Sequence, residues 1–168
     1  MPEFYWHMSW AHPVEDDPSD KFTTVNTTAQ FENYYGSNQM TMYNAIANAV
    51  ETKILPDTSF KGIMPTGTAI QNANSSYLGD PQRYRDYTHL SDLGRLNAGY
   101  IWHCTLEGVQ LDSIKLTIIT NNVLKSYIDA GCKGNMVLTA KEAAIVAESV
   151  KNALNTPYAV AQSAYTTK

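Results

Sequence analysis

Two apolar runs, EFYWHMSWA at residues 3–11 and FKGIM at 60–64, are separated by a stretch holding one amphipathic helix pattern, and this order constrains the fold more than any other feature. The first run is aromatic and apolar without helical period and is closed by His12-Pro13; the second is ended by Pro65 and Gly67. Between them, starting at Met40, apolar residues recur at Tyr43, Ile46, Ala47, Val50 and Ile54, the stripe of a helix that must stop before Pro56. A helix between two strands is the crossover that parallel pairing needs, and such crossovers are right-handed by default. The chain is therefore expected to be α/β, with the segments at 3–11 and 60–64 as neighbouring parallel strands.

The remaining segments continue the alternation. Residues 14–38 are polar and read as a long surface excursion, a kind of loop that often carries function. TAIQNANSSYLG predicts a short helix ending near Gly79. Leu93, Leu96, Tyr100, Ile101 and Cys104 share one face of a further helix, with Ser91 as its N-cap and Gly108 as its stop. Thr120 can cap a helix through about Ala130, and Thr139 with Glu142 forms the capping box T-x-x-E before AAIVAESVKNAL. The tail after Pro157 is expected to be frayed or laid on the surface. No internal repeat and no low-complexity tract is present.

A chain of 168 residues with 43% hydrophobic content makes one domain with one core. The net charge of -4 and the scattered lysines and arginines leave no basic face, which excludes the electrostatic footprint of a nucleic-acid binder. No run approaches the roughly 18 apolar residues that span a bilayer, and the opening MPEFYWHMSW has neither the basic nor the apolar region of a signal peptide. Localisation is not fixed by these features. Cys104 and Cys132 have no C-x-x-C partner and fit either two buried thiols or a single bridge, so they do not set the redox compartment.

Chemistry concentrates in YRDYTHLSDLGR at 84–95, where Asp86 and His89 stand three apart just before a helix. In a turn feeding a helix, positions i and i+3 return to the same side, so the carboxylate can reach the imidazole nitrogen nearer the backbone and leave the other nitrogen facing a cleft. That is a base and its orienter without a nucleophile. The alternative is a turn-forming aspartate and a polar residue near a helix start. His7 and His12 are five apart, on opposite faces if both lie in a strand, and His103 stands nearly four helical turns beyond His89; no metal site is expected. The aromatic residues of FYWHMSW and FENYYG could form a platform for a sugar ring, against the commoner role of core and interface packing.

Residues 4–108 resemble the SGNH (GDSL-like) serine hydrolases, in a bacterial branch of them, through YWHMSWA, NQMTMYNAI, the P-x-G-T-A-I-Q-N-A segment and the D-x-x-H-L-S-x-x-G-R run, in that order. The resemblance implies a three-layer α/β/α flavodoxin-like fold, ester hydrolysis by a Ser-His-Asp triad with His89 as general base and Asp86 orienting it, no cofactor, and members that are often exported. It divides the single, partial domain of 1–168 into a family-like part at 1–108 and a C-terminal helical extension at 109–168.

The family's G-D-S nucleophile block and its oxyanion blocks have no counterpart here, and G-x-S-x-G is absent as well. The first strand corresponds to a late central strand of the family pattern, so the serine is expected outside this chain, upstream of a fragment or on a separate N-terminal half; the third account is a decayed domain that only binds, as a homo-oligomer in the noncatalytic reading. Among the serines present, Ser9 reads as a hydroxyl inside the first strand, Ser91 as a cap, and Ser75 and Ser76 as loop residues. The expected substrate is a small acyl ester, on a carbohydrate in one version; the competing reading is a noncatalytic α/β interaction or carbohydrate-binding module.

Overall fold

The computed structural model describes residues 2–13, 32–79, 89–111 and 138–167. The aromatic run forms β1 (Phe4–His7), shorter than the nine-residue strand expected: beyond His7 the chain leaves the ladder to cover a helix end. The crossover helix α1 (Gln39–Ala49) is capped by Asn38, whose side chain accepts from the Thr41 amide at 2.9 Å. Its continuation over Val50–Ile54 widens to i to i+5 bonding, closed by Leu55 N–H to the Val50 carbonyl at 2.9 Å. Then follows β2 (Phe60–Met64), which pairs with β1 in parallel, in the register Tyr5 with Gly62, Trp6 with Ile63 and His7 with Met64. The helical crossover thus does what its place in the sequence requires.

Helix α2 (Thr66–Asn74) starts directly after β2 and stops before Ser75, short of the expected end near Gly79, because the Ser75 and Ser76 hydroxyls donate back to the Asn72 and Ala73 carbonyls at 2.6 Å each. Met8 binds both neighbours: its N–H donates to the Met64 carbonyl at 3.0 Å and its carbonyl accepts from Gly67 N–H at 3.1 Å. Ser9 is exposed past the strand end rather than inside it. Helix α3 (Asp92–Glu107) has Ser91 as N-cap, accepting from Gly94 N–H at 3.2 Å, and ends at Gly108 in the left-handed region at φ 64°. Helix α4 (Ala140–Asn155) opens on the Thr139–Glu142 capping box, with both reciprocal bonds formed.

Consecutive residues of a strand face opposite ways, and β2 shows it. Met64 enters one apolar cluster with Ala69, Leu93, Ile101, Cys104, Val146 and Val150; Ile63 packs against the other, built on Met8, Ala11, Tyr43, Ala47 and Val50. The molecule is therefore mixed α/β, with a two-stranded parallel sheet among the described residues and apolar packing on both of its faces. Helix α4, from the stretch assigned above to a C-terminal extension, shares the first cluster with α3. Cys104 is a free, buried thiol whose pKa burial pushes up; Cys132 and the expected helix from Thr120 lie outside the described residues.

Of the two expectations for the tail after Pro157, it is laid along the surface and not frayed. Ala161 N–H donates to Asn72 Oδ1 at 2.7 Å, Ser163 N–H to Ser75 Oγ at 2.8 Å, Ala164 N–H to Glu148 Oε1 at 2.9 Å, and Tyr77 N–H to the Tyr165 carbonyl at 2.8 Å. Side chains of α2 and α4 thus supply the partners that a sheet would otherwise give an extended segment. No helix among the described residues is long and apolar enough to cross a membrane.

Candidate functional site

A cleft of about 330 Å³ opens beside the end of β1, lined by His7 and Trp10 on one side and by His89, Leu90 and the cleft-facing residues of α3 on the other. It lies past the carboxyl end of a parallel strand, where open α/β sheets bind their ligands. Helix α3 supplies its wall because it carries two stripes. Leu93, Asn97, Ile101 and Cys104 are buried toward the core, whereas Arg95, Ala98, Gly99 and Trp102, at i, i+3, i+4 and i+7, face the cleft. Gly99 leaves room: nothing stands within 4 Å of where its Cβ would be.

His89 is exposed at the rim of this cleft, two residues ahead of the Ser91 cap. Its neighbour Leu90 is buried against Ile70 of α2, with Trp10 and Ala98 packed on the pair, so the link from His89 to α3 is anchored at Leu90. Asp86, the expected orienter, lies outside the described residues, and its geometry toward His89 with it.

His7, the last residue of β1, forms an inner wall. Its ring meets Trp102 edge to face, centroids 5.1 Å apart at 81°, and Trp10 at 6.1 Å. Its Nε2 is shut off from water and has no hydrogen-bond partner, and burial holds its pKa below the usual histidine value, which favours the neutral ring. Trp102 is 45% exposed. The Arg95 guanidinium stands 3.5 Å from the Asp92 carboxylate, both side chains more than half exposed. The described lining contains no carboxylate, hydroxyl or thiol. His12 is half-buried beyond the strand and His103 is exposed on α3; among the described residues no group of three or more His, Cys, Asp or Glu is gathered to hold a metal ion.

Of the two site residues expected from sequence, then, the described structure brings His89 to a cleft. The sequence pattern reaches Trp10 through the aromatic run FYWHMSW but not Arg95 or Trp102, and it weighs His7 only as a poor metal partner for His12. The signal for Arg95, Trp102 and His7 was available: Arg95, Ala98, Gly99 and Trp102 form a second helical stripe, and His7 closes a strand that precedes a parallel crossover.

The model of the family described as "Domain of unknown function (DUF4886)" matches residues 4–127. The crystal structure of a DUF4886 family protein from Bacteroides uniformis ATCC 8492 at 1.50 Å resolution is similar to this chain with a TM-score of 0.67 and 26% sequence identity. The likeness covers 95% of this chain and 51% of that one, so the chain spans about half the length of this relative. No curated protein matches.

Proposed function

The chain belongs to the DUF4886 family, and we propose that it is the histidine-bearing part of an SGNH-type, three-layer ester hydrolase acting on small acyl esters. The observation that carries this reading is the exposure of His89 at the rim of a cleft at the carboxyl end of a parallel strand. In the proposed reaction a serine hydroxyl attacks the ester carbonyl, His89 takes its proton and returns it to the departing alkoxide, and Asp86 holds the ring and stabilises the imidazolium. Water then releases the acyl group by the same base. The serine comes from outside residues 1–168, on a G-D-S block like that of the SGNH hydrolases; the sequence has no such block and the described cleft lining has no hydroxyl. Ser91 is engaged as a cap, and the Ser75 and Ser76 hydroxyls are engaged with backbone carbonyls.

The test is hydrolysis of p-nitrophenyl acetate by the chain alone and after addition of a polypeptide carrying the serine block. Oxyanion donors contribute about a hundredfold or more each, and triad members act as a unit. The chain alone should therefore run near the buffer rate, and the mixture should gain activity that His89→Ala abolishes. Absence of a gain with acetyl to octanoyl esters, or a gain indifferent to His89→Ala, would remove the hydrolase reading. Labelling of Ser9 or Ser91 by a serine-directed phosphonate would instead place the nucleophile in this chain.

The second reading, a noncatalytic carbohydrate-binding module, is favoured by the Trp10 and Trp102 rings on the cleft wall. It predicts sugar binding by the chain alone that is insensitive to His89→Ala.

A further inference from the structure

The cleft wall is largely apolar, through Trp10, Leu90, Ala98 and Trp102, yet Arg95 sits in the same helical stripe as Ala98 and Trp102 and borders the same space. We infer that Arg95 is the specificity-determining residue of the cleft and that its ligand carries a carboxylate beside a flat apolar portion, which makes the preferred substrate an acidic ester. The inference rests on the reading of this cleft as the place a substrate occupies, and adds the chemical class of that substrate.

Four observations support it. Among the described residues the lining holds no carboxylate, and in the proposed triad the Asp86 carboxylate is committed to His89. Its ion-pair partner, Asp92, is a turn away at 3.5 Å with both side chains more than half exposed, the kind of contact that adds little and is readily exchanged. His7 brings no competing charge, because burial favours its neutral ring. Finally, the chain as a whole is acidic, at -4, and Arg95 is the only lysine or arginine among the described lining residues. A guanidinium offers two parallel N–H donors that match a carboxylate, and the Trp10 and Trp102 rings in the same lining offer apolar surface to the flat portion of the ligand.

The experiment is a titration of the ¹⁵N-labelled 168-residue chain with benzoate and with benzamide, its neutral counterpart, read at the indole N–H signals. The chain has three tryptophans, and Trp10→Phe and Trp102→Phe assign two of them. Benzoate should shift the Trp10 and Trp102 signals and bind at least about fivefold more tightly than benzamide, the equivalent of roughly 1 kcal/mol. Arg95→Gln should bring that ratio to one without changing the benzamide affinity, Arg95→Lys should keep part of it, and salt at about 0.5 M should reduce it. Since Arg95 is exposed, neither variant threatens the fold. Equal affinities, no shift with either probe, or a preference that survives Arg95→Gln would overturn the inference. Ester turnover on the neutral acetate is a separate measurement: failure here with His89-dependent turnover intact sinks the carboxylate preference alone, and the reverse result leaves an anion-binding cleft without hydrolysis.

Discussion

Gly67 has no room for a side chain: a Cβ there would stand 2.0 Å from the Ser9 carbonyl oxygen. The backbone cannot easily withdraw, because Gly67 N–H is bonded to the Met8 carbonyl and Met8 N–H to Met64. Gly67→Ala should therefore lower stability by about 3 kcal/mol, the upper range for forced overpacking, whereas Gly99→Ala, in open space within a helix, should raise it by about 0.5–1 kcal/mol; urea unfolding of the two variants checks both signs. His7 gives a prediction in pH. Its folded-state pKa is lowered from the ordinary 6.5 by burial, so in the interval below 6.5 the unfolded chain binds the extra proton and stability falls as the solution is acidified, while above 6.5 nothing is lost. Urea midpoints measured from pH 7.5 down to 5.5 should decline less in His7→Phe, which keeps a ring against Trp102 but cannot titrate. An equal decline in both proteins would show that His7 protonates as freely in the fold as outside it.

Helix α3 is where element and site meet. Ser91 accepts from Gly94 N–H, and loss of such a cap costs about 1 kcal/mol; Ser91→Ala should also speed amide exchange in the first turn of α3 and loosen His89, two residues ahead. Ser91→Asp should restore both, and unchanged exchange at Leu93–Arg95 in Ser91→Ala would show that the cap does not hold this turn. The core stripes of α1 and α3 and the caps of α3 and α4 were legible in the sequence because each obeys a local rule: Tyr43, Ala47 and Val50 recur at helical spacing, and Thr139 with Glu142 is a box by itself. Helix α2 was legible as a helix but not as an interior one, since Thr66–Ala73 are buried on all sides and a helix with no solvent face has no stripe to read. The second stripe of α3 was hidden for a related reason: Arg95 and Gly99 are not apolar, so a search for hydrophobic recurrence passes over them. The short β1 and the ordered tail depend on contacts with distant residues, which no local pattern encodes.

At the scale of the whole molecule, the parallel β1–α1–β2 unit followed from segment order alone, whereas the cleft arises where the end of β1 comes against α3, residues some ninety positions apart in sequence. The interior helix α2 extends the same dependence on distance. Its Thr68 hydroxyl meets Tyr43 at 2.9 Å and also the Pro157 carbonyl; Asn72 donates to the Ser149 carbonyl at 3.3 Å and accepts from Ala161 N–H. Until those partners arrive, burying α2 would strand dry hydroxyl and amide groups at a cost of about 1–3 kcal/mol each. Order in time follows from this. On the ribosome α2 emerges long before Ser149 and Ala161 do, so it must wait, solvated, while roughly ninety further residues are made, and the middle of the molecule can set only when the last stretch of this sequence has left the tunnel.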